Sequence, residues 1–280
     1  MRHCSGSDDG AFSSGCICGH HLGEMIIEGA PFQLQFQPLA AHFHRKDDLM
    51  SKRVPPKIRM IKHWVFGFLP GRVGLRNRAC LHHLKKSPAR EEFAEVLSQV
   101  KPGDICIDCG ANVGEYTRKL AATGAHVYAF EPDPWSFQTL SKNVADLENV
   151  TLINKAVGVR DGTISFFRDK EFSNRPGWHS LASSVIKDPR KDQEQIDVQV
   201  IDFIDFLNSI DGHVAILKMD IEGAETEILE HLIKSEQVNK LSYVFVETHE
   251  VIYTDLLERT WKLRDDVRQV AGVRFNLDWH

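Results

Sequence analysis

A chain of 280 residues is long enough for one or two domains and for a sizeable core without disulfides or metal. With 42% hydrophobic and 26% charged residues it reads as a folded soluble protein, which excludes pervasive disorder and a coiled coil. The net charge of −5 is uneven: residues 52–90 carry eleven basic groups and no acidic one, whereas residues 91–280 carry 20 basic and 33 acidic groups, against broad binding to a phosphate backbone.

No apolar run approaches the roughly 18 residues of a membrane span, the best being Trp64 to Pro70. The first 20 residues lack the apolar stretch of a signal peptide, so the cytoplasm is the expected location. Residues 1–50, with Ser, Gly and Asp crowding the first 15 positions, read as a flexible or non-native N-terminal extension. Cys4, Cys16, Cys18, His20 and His21 miss the spacing of zinc knuckles, and no metal site is inferred there.

Residues 51–100 form a basic arm and a cover helix. Trp64, Phe66 and Phe68 share one face if the arm is extended, and the arm is expected to help shape a pocket. Ser87-Pro88 opens a helix with Phe93, Val96, Leu97 and Val100 as its apolar stripe.

Residues 101–280 form the main domain. Strands are expected at 105–109, 126–130, 150–154, 214–219 and 241–247, with shorter ones at 163–167, 196–201 and 273–277. Helices are expected at 115–122, from Asp133-Pro134 to about 146, after Asp202, at 222–234 and near 254–270. This alternation gives an α/β fold, a mainly parallel sheet with helices on both faces. The polar insertion 168–195, with Arg175, Trp178 and His179, reads as a lid or acceptor loop.

The sharpest motif is Asp108-Cys109-Gly110-Ala111-Asn112-Val113-Gly114, between a strand and a helix. Gly110 allows a tight turn and a close backbone approach, and Gly114 lets the helix begin beside a ligand. Asp108 ends its strand facing the crevice, where it can accept from an ammonium group. Glu131, at the end of the second strand, can take both hydroxyls of a ribose. The glycines do not spell Gly-x-Gly-x-x-Gly, which disfavours a dinucleotide and a NAD-dependent dehydrogenase. A nucleoside with an amino-acid end fits better, a description that S-adenosylmethionine meets. Cys106 and Cys109 point to opposite faces of a strand and do not form a redox pair.

The block 104–249 resembles the FkbM-type branch of class I S-adenosylmethionine-dependent methyltransferases. The likeness rests on 107–114, Ala129-Phe130-Glu131-Pro132, Asn154-Lys155-Ala156-Val157-Gly158, Ser180-Leu181-Ala182-Ser183-Ser184 and Lys218-Met219-Asp220-Ile221-Glu222-Gly223-Ala224-Glu225. It makes 101–280 an S-adenosylmethionine-dependent methyltransferase domain of Rossmann-like fold, with a seven-stranded sheet ordered 3-2-1-4-5-7-6. The 33 residues after Glu247 are expected to suffice for one helix and one strand, leaving the final pair incomplete, with its last strand missing, displaced or supplied by the earlier chain. By the likeness, Asp108, Gly110 and Gly114 face the methionine end, Asn112 also binds the cofactor, Glu131 holds the ribose, and Asn154, Lys155 and Ala156 lie near the adenine, with Ala156 or Val157 packing on its ring and Pro132 and Asp133 bordering the pocket. The implied activity is O-methylation of a sugar, glycan, lipid or other small acceptor.

Such an acceptor hydroxyl needs a base or a cation beside it. Asp220 and Glu222 follow the fourth core strand, and Glu247, His249 and Glu250 follow the fifth. His249 is the expected neutral-pH base, oriented by Asp220. A divalent cation held by Asp220 with Glu247 is an alternative, and Glu225 is read only as a favourable charge in a helix first turn. Two other functions compete: an RNA methyltransferase, which the basic arm supports and the acidic body opposes, and a catalytically weak interaction protein on the same fold.

Overall fold

A computed structural model describes residues 56–84, 88–169 and 193–279, all within one compact unit, Met50–His280. Ser87, the extension 1–50 and most of the insertion, including Arg175, Trp178, His179 and the run 180–184, lie outside the described residues.

Nine strands and eight α-helices are described. In chain order they are α1 (Pro56–Phe66), α2 (Gly71–Leu84), α3 (Ala89–Leu97), β1 (Ile105–Cys109), α4 (Glu115–Ala121), β2 (His126–Phe130), α5 (Pro134–Asn143), β3 (Val150–Ile153), β4 (Ala156–Gly158), β5 (Gly162–Asp169), β6 (Gln193–Asp202), α6 (Phe203–Ser209), β7 (Val214–Met219), α7 (Glu225–Leu232), β8 (Leu241–Val246), α8 (Leu257–Asp266) and β9 (Arg274–Asn276). Caps set several starts. Asp133 accepts from the amides of Trp135 and Ser136, with Pro134 in the first turn of α5. Asp202 does the same for Ile204 and Asp205 at α6.

The main sheet has the order β3-β2-β1-β7-β8-β9, and every pairing in it is parallel. Its strands are apolar on both faces because helices cover both. On one face Ile107, Cys109, Leu217, Met219, Val244 and Val246 pack with Phe203, Leu207, Ile228 and Leu229. On the other, Cys106, Val127, Ile216 and Phe245 pack with Phe93, Leu120 and Trp279. Cys106 and Cys109 thus lie on opposite sides of the sheet. Burial pushes the Cys106 thiol up to about 12, in a core setting.

The first five positions follow the expected order, and after β8 the described residues supply one further strand, β9, parallel to β8, in line with the incomplete final pair expected from the sequence. The segment after Glu247 supplies one helical crossover, α8, and a helical crossover returns the chain to the starting end of the sheet. One expectation is corrected. The basic arm is not extended: α1 and α2 form a helical hairpin broken at Gly67–Pro70, so Trp64, Phe66 and Phe68 have no period-two face.

A second, three-stranded sheet, ordered β4-β6-β5, stands beside the first. Its long antiparallel ladder pairs β5 with β6 from Gly162↔Val200 to Asp169↔Gln193, around Ala156, Phe166, Val198 and Val200.

Candidate functional site

A cavity of about 500 Å³ opens at the carboxyl ends of β1, β2 and β7, where the strand order reverses and α/β sheets bind ligands. Gly110, Asn112, Glu131, Pro132, Lys155, Ala156, Asp220 and Glu222 line it. Its volume is within the roughly 300–1,000 Å³ of small-molecule sites.

Gly110 is required sterically. Its φ is +78°, and a Cβ there would lie 1.8 Å from the carbonyl oxygen of Asp220, so only glycine lets the ends of β1 and β7 meet. Gly114 does not line the cavity. At φ +94° it caps α4, and a Cβ would meet Leu140 Cδ1 at 2.7 Å, so it sets the helix against α5.

Glu131 is buried, and its two oxygens accept from the backbone amides of Asn112 (2.8 Å) and Asp133 (2.9 Å). A carboxylate oxygen can accept a second donor, so the group can still serve a hydroxyl in the cavity. Burial raises it to about 7, against the pull of those two amides. Asn154 does not line this cavity: its side-chain amide donates to the carbonyls of Glu131 (2.7 Å) and Pro132 (3.2 Å), bracing the end of β2.

Asp108 lies beneath the cavity wall, fully buried. Its Oδ2 accepts from Thr117 Oγ1 at 2.7 Å, and its Oδ1 is 3.3 Å from Lys218 Nζ. Lys218 does line the cavity. It donates to the Gly110 carbonyl at 2.9 Å and stands 3.7 Å from Asp220. Burial works against its charge, but Asp108 and Asp220 outweigh burial and hold it above the usual lysine value.

The parallel pairing of β7 and β8 brings the two acidic clusters together. His249 Nε2 lies 3.4 Å from Glu222 Oε2 and 3.9 Å from Asp220 Oδ1, and its Nδ1 lies 3.0 Å from Glu225 Oε1. Burial disfavours its charge, yet Glu225, Glu222 and Asp220 together raise it to about 10. That direction favours the imidazolium, a form that cannot accept the proton expected of a base. Glu222 has the opposite balance: burial first, then Asp220, raise it to about 7 against the pull of His249. Glu247 is raised to about 7 for the same reasons.

Glu225 does more than favour a helix dipole. Buried at the start of α7, it accepts from the amides of Ile221 and Gly223 and so ties down the 220–223 loop. Within that loop Glu222 sits at φ +59°, a conformation a non-glycine residue holds only when its surroundings impose it. Asp220, Glu222 and His249 offer three ligand atoms within 4.8 Å of one another, a set able to hold a divalent cation.

Sequence reasoning missed several lining residues: Tyr116, Trp135, Thr139 and Phe166. Trp135 and Thr139 were within reach, being one helical turn apart after the Asp133 cap. Phe166 had no local signal, because the second sheet brings it in from β5. Among the described residues, none of the arm 56–84 lines this cavity.

A family model described as the methyltransferase FkbM domain matches residues 108–269, more than half of the chain. The chain is 28% identical over 159 residues to the hexuronic acid methyltransferase AglP of Haloferax volcanii, covering 55% of this chain and 59% of that one. It is 24% identical over 163 residues to the 2-O-methyltransferase NoeI of Sinorhizobium fredii, covering 52% and 64%. With the 31-O-demethyl-FK506 methyltransferase FkbM of Streptomyces tacrolimicus it shares 25% identity over 211 residues, covering 63% and 81%. The matches thus span less than two thirds of the first two relatives.

Proposed function

The chain belongs to the FkbM methyltransferase domain family, and from that premise we propose that it moves a methyl group from S-adenosylmethionine to a hydroxyl of a sugar or another small acceptor. The observation that carries the reading is one cavity bordered on one side by Glu131 and on the other by Asp220 and Glu222. The family name supports methyl transfer, and two relatives are named for methylation at oxygen and one for a hexuronic acid.

S-adenosylmethionine, when bound, supplies an activated methyl carbon, so the protein's work is alignment and proton removal. Glu131 takes the ribose hydroxyls. Ala156, Val157 and Phe166 pack on the adenine. Lys218 and the amides at the start of α4 attract the carboxylate of the amino-acid end. Asp108 and Thr117 hold Lys218 in place rather than touching the ligand.

On the acceptor side, Glu222 is the proton acceptor. It lines the cavity, and a value of about 7 suits a base at neutral pH. His249 positions Glu222 and Asp220 as a cation, and Glu225 positions His249. A second reading, favoured by the spacing of the three ligand atoms, places a divalent cation between Asp220, Glu222 and His249 to bind the acceptor oxygen.

The test is transfer of labelled methyl from S-adenosylmethionine to uronic acids, neutral glycans and RNA, before and after chelation. The proposal expects label on a carbohydrate hydroxyl. Label on RNA alone, or on no acceptor despite tight cofactor binding, contradicts it. Loss of rate on chelation, restored by magnesium, selects the cation reading.

A further inference from the structure

The α1–α2 hairpin carries an apolar surface that the methyltransferase site does not use. Ile61, Trp64, Val65, Phe66, Phe68, Leu69 and Val73 are all exposed, Phe68 at 74% and Ile61 at 61%. They cluster at the end of α1, the Gly67–Pro70 turn and the start of α2. Among the described residues they account for all but one of the exposed large hydrophobic side chains, and a group of this size marks an interaction surface.

The hairpin is held in shape while its crest stays exposed. Arg78 donates to the Gly67 carbonyl at 2.7 Å, and His63 and Asn77 hydrogen-bond across the two helices at 2.9 Å. Trp64 and Phe68 form an edge-on pair 5.2 Å apart. Arg72 bonds to the Thr254 carbonyl and to Asp255, on the segment that follows β8 and His249. The crest is therefore anchored beside the chain leaving the cavity end of the sheet.

Charge identifies the occupant. Lys62, Arg72, Arg76 and Arg78 surround the apolar crest and are exposed, in a segment of eleven basic groups and no acidic one. A second copy of this chain would set one basic hairpin against another. A nucleic acid could stack bases on Trp64, Phe66 and Phe68, but the four aliphatic side chains among them, Ile61, Val65, Leu69 and Val73, offer bases no ring. An anionic bilayer satisfies both features, since apolar and aromatic side chains enter the headgroup region while flanking cations meet lipid charge. The acidic surplus of residues 91–280 is repelled by the same surface, which confines contact to the hairpin.

We propose that the α1–α2 hairpin docks the protein on a membrane containing anionic lipid, with its apolar crest in the headgroup layer and the body of the enzyme held off the surface. The test is flotation of the full chain with phosphatidylcholine vesicles, with and without about 30% phosphatidylglycerol. Wild type should float with the anionic vesicles, less so as salt rises, with a blue shift of tryptophan emission. Trp64→Ala with Phe68→Ala should weaken binding at least about tenfold with an unchanged circular dichroism spectrum. Lys62→Glu with Arg76→Glu should abolish the preference for anionic vesicles. Wild type that floats with neither vesicle overturns the proposal, as does an apolar double variant that binds like wild type. So does a double variant whose only effect is to dissolve a dimer or to lose retention on RNA.

Discussion

In the proposed mechanism Glu222 and His249 exchange the roles their residue types suggest, and the exchange comes from neighbours rather than from the motif. Three carboxylates around His249 hold it up at about 10, while burial holds Glu222 up at about 7. If Glu222 removes the acceptor proton, the rate at saturating acceptor should rise through about pH 7 and then level. Glu222→Gln should lower kcat by about 10²- to 10⁴-fold and flatten that rise, with little change in cofactor affinity, as steady-state kinetics across pH will show. A retained rise in the variant would assign the proton to another group. The pattern Asp220-Ile221-Glu222 made the carboxylates legible in the sequence. The part of Glu225 was not legible, because its amide partners and His249 are set by the fold of the 220–223 loop.

Two loops decide whether the elements meet correctly. At the first, Gly110→Ala drives a Cβ into the Asp220 carbonyl and places alanine at φ +78°. Urea unfolding should show a loss of about 1–3 kcal/mol, together with weaker cofactor binding. At the second, Arg264 on α8 is buried and donates to Thr248 Oγ1 (2.9 Å), the Leu277 carbonyl (2.8 Å) and Asp278 (2.6 Å), and stands 3.5 Å from Glu250. It joins the segment that follows β8, which carries Thr248, His249 and Glu250, to the segment after β9. Removing this cation leaves Glu250 buried without it, so Arg264→Met should cost about 3–5 kcal/mol in the same measurement. The periodic pattern marked β1, β2 and β7 to the residue, because each is a short apolar run between turn signals. The arm was misread because alternating Trp64, Phe66 and Phe68 imitate a strand, although the last of them lies in a turn beyond α1. Arg264 gave no signal, being one cation in a polar helix.

For the whole molecule, an alternating pattern sufficed to give a parallel sheet and the end at which the cavity opens. It did not give the direction of β9 or the second sheet, which depend on crossovers and long-range pairing. Buried carboxylates also set how stability follows pH. Glu131, Glu222 and Glu247 have values raised to about 7, so the folded state holds their protons more tightly than the unfolded chain does. Their contribution is fully present below about pH 4.5 and is lost as pH rises through about 7. Melting temperatures between those limits should fall less steeply in Glu131→Gln than in wild type. The central claim, that the crevice between β1, β2 and β7 holds S-adenosylmethionine through Glu131, is most directly tested by calorimetric titration of wild type and Glu131→Ala with that cofactor. The account predicts saturable binding by wild type and a loss of about 1–3 kcal/mol in the variant. Equal affinity in the two proteins, or no binding by wild type, would contradict it.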